Sequence, residues 1–232
     1  MSSGVARAAL TGYRWAGMVA YPLIGPYLAL RAAKGKEDRA RRGERFGHAS
    51  LPRPQGPLIW FHAASVGETN AVVPLIREMR RREINVVLTT GTITSAKVAE
   101  SRLGADAMHQ YVPLDLKPAV SRFLDYWQPD VAIIAESEIW PTTIMELGRR
   151  HIPQVLVNAR MSDRSFARWR KRPAIAEALF EHLALVIAQS DVDAERFRDL
   201  GALPVMVSGN LKVDNDMPPH NPEDLARYRG QI

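Results

Sequence analysis

The sequence predicts an α/β protein with a Rossmann-like parallel sheet and helices on both faces. Short apolar runs alternate with helical patterns from residue 58 onward. The runs are nearly continuous rather than alternating, as in strands that are buried on both faces. Polar or charged residues follow almost every run, and in an open parallel sheet all these strand ends lie on the edge where ligands bind.

An apolar segment precedes the predicted sheet. Residues 15–30 carry no charge and lie between Arg14 and Arg31. These 16 residues would reach about 24 Å as a helix, short of the ~30 Å hydrocarbon core, and Pro22 and Pro26 are expected to kink or break that helix. A basic run follows, with the members Arg31, Lys34, Lys36, Arg39, Arg41, Arg42 and Arg45. This combination favours anchoring at an anionic membrane surface over a span, and the alternative is a core-packing helix followed by a solvated charged stretch.

The apolar runs and the helical patterns give the order of elements. Strands are predicted at 58–61, 86–88, 110–112, 131–135, 155–157, 185–188 and 205–207. Helices are predicted at 70–82, 95–103, 117–127, 142–150, 166–180 and 191–200. The last helix is well delimited, because Ser190 is a suitable N-cap and Gly201 follows its end.

Composition restricts the possible functions. The net charge of +6 favours anionic partners, which leaves nucleic acid, an anionic membrane face and a phosphorylated small molecule open. The absence of cysteine excludes disulfides and thiolate zinc sites. The P-loop and dinucleotide-binding motifs are missing, and no histidine cluster indicates a catalytic metal, so we expect no metal. His62 and His109 are predicted to be structural.

Three groups of residues have both a functional and a structural interpretation. Ser65-Val-Gly-Glu68 directly follows the first strand, where Glu68 is either a helix cap or a catalytic base. Glu136 and Glu138 share a face in an extended chain, so they either raise one another's pKa or bind backbone amides. A basic cluster at 164–172 contains Trp169 and is either a solvated helix face or a contact for phosphate or membrane.

Seven motifs in order resemble the Kdo transferases (3-deoxy-D-manno-octulosonic acid transferases) of lipopolysaccharide synthesis. They lie at 60–68, 89–92, 111–115, 136–141, 158–162, 189–197 and 209–212, within a resemblance that covers about 13–216. Thr142-Thr143 and Ile93-Thr94-Ser95 depart from the family pattern, where Asn and Gly are expected. The resemblance implies the N-terminal, acceptor-binding half of an inverting GT-B glycosyltransferase. It implies a membrane-associating apolar helix and basic segment at 1–50, an acceptor-binding domain at 51–213, and a linker at 214–232 toward an absent donor-binding domain.

The resemblance also implies the chemistry. Kdo would pass from CMP-Kdo to a lipid A precursor (lipid IVA) at the cytoplasmic face of the inner membrane, with Glu68 as the general base. The residues expected to contact the acceptor are Ser65, Gly67, Thr90, Gly91, Glu136, Glu138, Arg160 and Lys212. No cofactor or metal is implied, and CMP-Kdo would bind mainly to the missing half, so the chain alone is expected to be inactive.

Two alternatives remain at this point. A non-catalytic, membrane-tethered domain that binds phosphorylated glycolipid would explain the positive charge and the apolar segment without Glu68. A nucleic-acid-binding domain is suggested by the basic balance alone, and no stacking-aromatic RNA motif supports it, so no nucleic-acid partner is expected.

Overall fold

A single parallel sheet organises the computed structural model, which describes residues 2–214. Its strands are β1 (Leu58–Ala63), β2 (Asn85–Thr90), β3 (Met108–Tyr111), β4 (Val131–Ala135), β5 (Gln154–Ala159), β6 (Leu183–Ala188) and β7 (Val205–Val207). They are ordered β3-β2-β1-β4-β5-β6-β7, and every neighbouring pair is parallel. Each predicted strand is present, so the predicted Rossmann-like parallel sheet is confirmed.

Helices cover both faces of the sheet. They are α1 (Ser2–Ala33), α2 (Val66–Arg81), α3 (Ile93–Leu103), α4 (Lys117–Trp127), α5 (Pro141–Arg149), α6 (Asp163–Arg170), α7 (Pro173–Phe180) and α8 (Asp191–Asp199). Consecutive residues of β1 point to opposite faces. Trp60 therefore packs in one core cluster with Phe123, whereas Phe61 packs in another with Ile76. Both faces of the sheet are thus buried, as its nearly continuous apolar strands require.

The predicted single helix at 166–180 is wrong. The structure has two helices there, α6 and α7, with a break at 171–172. Pro173 has no backbone N–H to donate and disfavours helical geometry at the residue before it. Arg172 accordingly leaves the helix, and its backbone N–H donates to the Trp169 carbonyl at 2.8 Å.

The predicted break at Pro22 and Pro26 is also wrong, because α1 continues through both prolines. The two residues are four apart and both are exposed, so the rings lie on the solvent side of the helix. The carbonyls that lose their helical partners there can bind water instead. Among residues 2–214, no helix combines the length and the hydropathy needed to cross a membrane.

Specific contacts attach α1 to the sheet domain. Leu10 is buried against Ile144 of α5 and Leu179 of α7. The Tyr13 hydroxyl donates to Asp115 at 3.1 Å, and burial together with this carboxylate raises the pKa of Tyr13 to about 12. Asp115 also accepts the backbone N–H groups of Thr142 and Thr143 in the first turn of α5, at 3.0 and 2.8 Å. Away from these contacts, α1 exposes the large apolar side chains of Trp15, Met18, Val19, Leu23, Tyr27 and Leu30.

The basic run after α1 folds into the domain instead of forming a free arm. Arg45 is buried, pairs with the buried Glu37 at 3.0 Å, and donates to the Gly91 carbonyl at 2.6 Å. Arg31 also pairs with Glu37, at 2.9 Å, and Arg41 pairs with Glu44 at 2.8 Å. The run therefore leaves four exposed cations, which are Lys34, Lys36, Arg39 and Arg42. The linker expected at 214–232 lies, after Asp214, outside the described residues.

Candidate active site

The strand order reverses direction between β1 and β4. The chain winds outward from β1 to β2 and β3, and then returns to place β4 on the other side of β1. The loops that leave β1 and β4 therefore diverge at the carboxyl edge of the sheet, which is where ligands bind in such folds. The loop after β1 carries Ser65 to Glu68, and the loop after β4 carries Glu136 to Glu138. The fold thus brings together two acidic motifs that are far apart in the sequence.

Glu68 supports the N-terminal cap of α2, in which Ser65 is the N-cap residue. The Ser65 hydroxyl accepts the Glu68 backbone N–H at 3.3 Å and donates to Glu68 Oε1 at 2.7 Å. Glu68 Oε2 accepts the Ala64 backbone N–H at 2.8 Å. The carboxylate is 8% exposed and lies in the first turn of α2, where the helix dipole favours negative charge. The capping interpretation is therefore confirmed, whereas the role of base stays a prediction.

Lys212 and Glu136 form an ion pair beside the start of α2. The Lys212 Nζ and Glu136 Oε1 atoms are 2.6 Å apart. A Cβ added to Gly67 would lie 3.8 Å from the same ammonium nitrogen, so Lys212 extends over the first turn of α2. Glu136 has a φ of 54°, an uncommon conformation for a residue other than glycine. This backbone geometry turns the chain at the end of β4 and presents its carboxylate at the sheet edge.

Glu138 completes a group of three carboxylates, called here the carboxylate cluster (Glu68, Glu136 and Glu138). Burial raises the pKa of Glu138, and the negative charges of Glu68 and Glu136 raise it further. The Trp140 indole opposes this shift by donating to Glu138 Oε2 at 2.6 Å. Three carboxylates near one lysine place net negative charge at the sheet edge. The surroundings of Glu138 therefore favour its protonated form.

Asn158 holds the loop that carries Lys212. It lies at the end of β5 with a φ of 53°, and its Oδ1 accepts the Leu211 backbone N–H at 3.0 Å. The residue is 1% exposed. Asn158 was absent from the residues predicted to contact the acceptor. Two sequence signals could have selected it, namely its place at the end of an apolar strand and its position as the first residue of the motif at 158–162.

Among residues 2–214, the remaining predicted site residues (Thr90, Gly91 and Arg160) make no hydrogen bond or ion pair with the carboxylate cluster. The Thr90 hydroxyl is buried and makes a 2.9 Å hydrogen bond with His109 Nε2. The Gly91 backbone N–H donates to the Ala64 carbonyl at 3.2 Å, and a Cβ at Gly91 would lie 2.8 Å from that oxygen. Gly91 therefore allows the loops after β1 and β2 to approach closely. Arg160 is exposed after β5 and makes no hydrogen bond or ion pair within residues 2–214.

The two histidines have structural contacts, as predicted. His62 Nδ1 lies 3.0 Å from the Thr89 hydroxyl oxygen, and burial lowers the pKa of His62 to about 4. Burial and the charge of Arg41 lower the pKa of His109 to about 4. Within the described part of the chain, no group of three or more histidine or carboxylate side chains is arranged to hold a metal ion.

The doubly wound sheet and the carboxylate cluster at its switch point define the class of this chain: it has the fold of one half of a GT-B-type glycosyltransferase. The sequence profile of the family described as 3-deoxy-D-manno-octulosonic-acid transferase (kdotransferase) matches residues 40–215. The chain belongs to this Kdo transferase family. The profile begins inside the basic run, in agreement with the packing of that segment into the domain.

Relatives from distant organisms support this assignment. The chain is 39% identical over 197 residues to a protein named probable 3-deoxy-D-manno-octulosonic acid transferase, mitochondrial, from Arabidopsis thaliana, covering 82% of this chain and 44% of the relative. It is 36% identical over 204 residues to the 3-deoxy-D-manno-octulosonic acid transferase of Haemophilus influenzae, covering 85% of this chain and 47% of the relative. It is 36% identical over 217 residues to the 3-deoxy-D-manno-octulosonic acid transferase of Rickettsia bellii, covering 93% of this chain and 52% of the relative. The chain thus spans about half the length of these relatives.

Solved structures share the fold at low sequence identity. The structure described as an S. aureus MnaA-UDP co-structure matches with a TM-score of 0.54 and 12% identity, covering 75% of this chain and 52% of that chain. The structure described as a putative UDP-N-acetylglucosamine 2-epimerase from Listeria monocytogenes matches with a TM-score of 0.51 and 13% identity, covering 74% of this chain and 52% of that chain. At this identity the likeness supports the fold and carries no information on the reaction.

Proposed function

We propose that this chain is the acceptor-binding half of an enzyme that transfers Kdo from CMP-Kdo to a lipid A precursor such as lipid IVA. Family membership supports Kdo transfer, and the carboxylate cluster at the switch point is the observation that supports a reaction centre in this half. The cluster joins the buried Glu68 and the half-buried Glu136 and Glu138 at a ligand-binding edge, where burial and the charge of Glu68 raise the pKa of Glu138. In this proposal CMP-Kdo binds mainly to the second half, and no cofactor or metal is required.

Glu68 is the proposed general base. The acceptor hydroxyl would give its proton to the Glu68 carboxylate while its oxygen forms a bond to the anomeric carbon of Kdo. The bond from that carbon to the CMP phosphate breaks, and CMP leaves with the electron pair. Glu68 Oε1 already accepts a hydrogen bond from the Ser65 hydroxyl at 2.7 Å. An acceptor hydroxyl would lie at a similar hydrogen-bonding distance from this carboxylate.

The neighbouring residues would orient the acceptor. Gly67 leaves space at the first turn of α2, where the helix dipole favours the negative charge that develops on the attacking oxygen. Lys212 holds Glu136 and adds a positive charge at the same point. Glu138 is suited to share a proton with Glu68, because its own pKa is raised. The exposed Arg160 would contact an acceptor phosphate.

The proposed location is the cytoplasmic face of the inner membrane. The exposed apolar side of α1 would enter the interface between lipid headgroups and acyl chains. Lys34, Lys36, Arg39 and Arg42 would contact anionic headgroups, each contributing about 1 kcal/mol at low ionic strength. This arrangement is an interfacial anchor, and it would hold the sheet edge near a lipid-embedded acceptor.

Replacement of Glu68 by Gln in the complete enzyme tests the proposed base. Glutamine can still accept the Ala64 N–H, so the cap and the fold should persist, whereas a neutral amide cannot take the proton. We expect the kcat of Kdo transfer to fall by a factor of about 10² to 10⁴. Glu78→Gln is the matched control, because it makes the same change on the same helix within an exposed ion-pair network. A folded Glu68→Gln enzyme with near-normal kcat would refute the assignment.

A non-catalytic, membrane-tethered domain that binds phosphorylated glycolipid is the second candidate. One observation favours it: both Glu68 oxygens are already occupied by the helix cap. In that case lipid A precursor would bind to the Glu68→Gln variant as tightly as to the wild type, and the complete wild-type protein would not transfer Kdo. Measurable transfer by the wild type excludes this candidate.

A further inference from the structure

A second concave surface adjoins the carboxylate cluster. It is a cavity of about 330 Å³ between the loop after β4 and helices α6 and α7, called here the α6 pocket. Ser137 lines one wall, and this residue lies between Glu136 and Glu138 in the sequence. The α6 pocket is therefore next to the proposed reaction centre, although none of the residues assigned above to the acceptor lines it.

Two arginines give the α6 pocket its charge. Arg168 and Arg172 line the cavity and are exposed. Within residues 2–214, neither guanidinium forms an ion pair or a side-chain hydrogen bond. The carboxylate of Asp163, also on α6, is paired with Arg196 instead. Two unneutralised guanidinium groups at one concavity favour a doubly charged anion such as a phosphate monoester, which can accept several N–H groups at once.

The floor of the α6 pocket is apolar. Met161, Ile139 and Trp169 line it, and Met161 is 2% exposed. The Trp169 ring packs edge-to-face against Phe180 with 5.6 Å between the ring centroids, which fixes the orientation of the indole. Ser165 adds a second hydroxyl to the wall. An aromatic and aliphatic floor beside hydroxyl and guanidinium donors suits the apolar face of a sugar ring better than a free inorganic ion.

We infer that the α6 pocket binds a sugar phosphate monoester, which is the phosphorylated sugar end of the acceptor. Arg168 and Arg172 bind the phosphate, and Trp169 supports the sugar ring. This inference rests on the proposed function and specifies where the acceptor binds. A volume of about 330 Å³ is at the lower end of small-molecule sites, so it is of a size to hold one phosphosugar unit.

The position of α1 agrees with this assignment. Helix α7 packs against both α6 and α1, so the α6 pocket lies on the flank of the domain that carries the proposed membrane anchor. The headgroup of a lipid-embedded acceptor would reach this flank first. A sugar phosphate held there leaves the rest of the acceptor's sugar to extend along the sheet edge toward Glu68.

A matched pair of double variants tests the α6 pocket directly. Arg168→Ala/Arg172→Ala removes both pocket guanidinium groups. Arg164→Ala/Lys171→Ala removes two exposed cations from the same segment that do not line the pocket. Both variants lower the net charge by the same amount. Binding of glucosamine 1-phosphate, glucosamine and inorganic phosphate to the chain is followed by NMR on the Trp169 indole resonance, assigned with Trp169→Phe.

We expect glucosamine 1-phosphate to shift the Trp169 resonance and to bind about 10- to 100-fold more weakly to Arg168→Ala/Arg172→Ala. Binding to the control should change less than about threefold, and both glucosamine and inorganic phosphate should bind more weakly than the phosphosugar. Equal weakening in the two double variants would overturn the inference, because it would show a diffuse charge effect. Vesicles of phosphatidylglycerol that lose affinity equally for both variants, without phosphosugar binding, would assign the cluster to the membrane instead.

A transfer assay with the complete enzyme separates this inference from the proposed function. Arg168→Ala/Arg172→Ala should raise the KM for a phosphorylated acceptor about 10- to 100-fold with little change in kcat, and should leave the KM for the dephosphorylated acceptor unchanged. An equal rise for both acceptors would contradict phosphate recognition. Absence of Kdo transfer by the wild type would refute the proposed function, while the NMR titration would still decide the ligand of the pocket.

Discussion

The carboxyl edge of the sheet has two regions that carry similar residues in different surroundings. The open edge, after β1 and β4, carries the carboxylate cluster and Lys212. The closed edge, after β2 and β3, carries Thr90, Gly91 and His109. At the closed edge the segment after α1 supplies partners for the Gly91 carbonyl and for His109, and His109 in turn binds the Thr90 hydroxyl. Arg45 covers the Gly91 carbonyl, and Glu44 accepts the backbone N–H of Tyr111 at 2.7 Å.

The open edge is neutralised only in part, because Lys212 pairs with Glu136 while Glu138 has no cationic partner among the described residues. Burial raises the pKa of Glu138, and the negative charges of Glu68 and Glu136 raise it further. The comparison shows that polar residues at strand ends identify a ligand-binding edge only in part. A site is better recognised where polar groups are held together without being neutralised by the rest of the protein. Thr90 and Gly91 belong to the predicted acceptor contacts, yet they lie at the closed edge.

The largest expected effect comes from breaking the closed edge. Arg45→Met removes one of the two arginine partners of the buried Glu37 and two hydrogen bonds to backbone carbonyls. We expect the free energy of unfolding to fall by about 2–4 kcal/mol in urea titrations, because the buried carboxylate keeps only the partly exposed Arg31 and two backbone carbonyls lose a charged donor. The control is Arg42→Met, an exposed cation three residues earlier. Equal and small losses of unfolding free energy in both variants would show that the contacts of Arg45 contribute little to the stability of the fold.

A pH titration should reveal the buried His62 of β1, which contacts Thr89 beside the closed edge. The pKa of His62 falls to about 4 in the folded protein, below the ordinary value of 6.5. Between these values the unfolded chain binds the extra proton, so stability is lost as the pH falls from 6.5 to 4. We expect His62→Gln to reduce the slope of unfolding free energy against pH by about 1 kcal/mol per pH unit in this range. The exposed His48→Gln should leave the slope unchanged, and an unaltered slope in His62→Gln would contradict the shift.

Two substitutions of Glu68 separate the roles of cap and base at the open edge. Glu68→Ala removes the acceptor of the Ala64 N–H and of the Ser65 hydroxyl, so we expect unfolding free energy to fall by about 1–2 kcal/mol. Glu68→Gln should lose less than half of that amount, because an amide oxygen still accepts one of these donors. Thermal or urea denaturation of both variants measures the difference. Equal stability of Ala and Gln variants would mean that the cap contributes little.

The smallest effect is expected at Thr90. Thr90→Val removes the hydroxyl that binds His109 Nε2, and because His109 is only partly buried, water can replace this contact. We expect a loss of about 0.5–1 kcal/mol in unfolding free energy and less than about a threefold change in kcat/KM for Kdo transfer. A fall in kcat/KM of tenfold or more would support Thr90 as an acceptor contact. It would then show that both edges of the sheet contribute to the reaction.

The sequence predicted the sheet better than it predicted the site. Strands buried on both faces have apolar runs that can be recognised locally, and helix α4 was predicted with its observed ends at 117 and 127. The break at Pro173 was missed because 166–180 keeps a helical apolar pattern on both sides of it. The burial of Arg45 is a tertiary effect, since nothing in a basic run indicates which member will meet a buried glutamate. The positive φ values at Glu136 and Asn158 likewise come from the surrounding packing.

Asp115 connects α1 to the loop that carries Glu138. The carboxylate accepts Tyr13 on one side and the first turn of α5 on the other, and α5 begins directly after Trp140, the residue that donates to Glu138. Deleting the first 33 residues to obtain a more soluble protein would therefore remove one donor to Asp115 and expose Ile144 and Leu179. Purification in detergent with α1 retained is the better strategy. Activity measured on a shortened enzyme would reflect a loop around Glu138 that no longer has the Tyr13–Asp115 contact behind it.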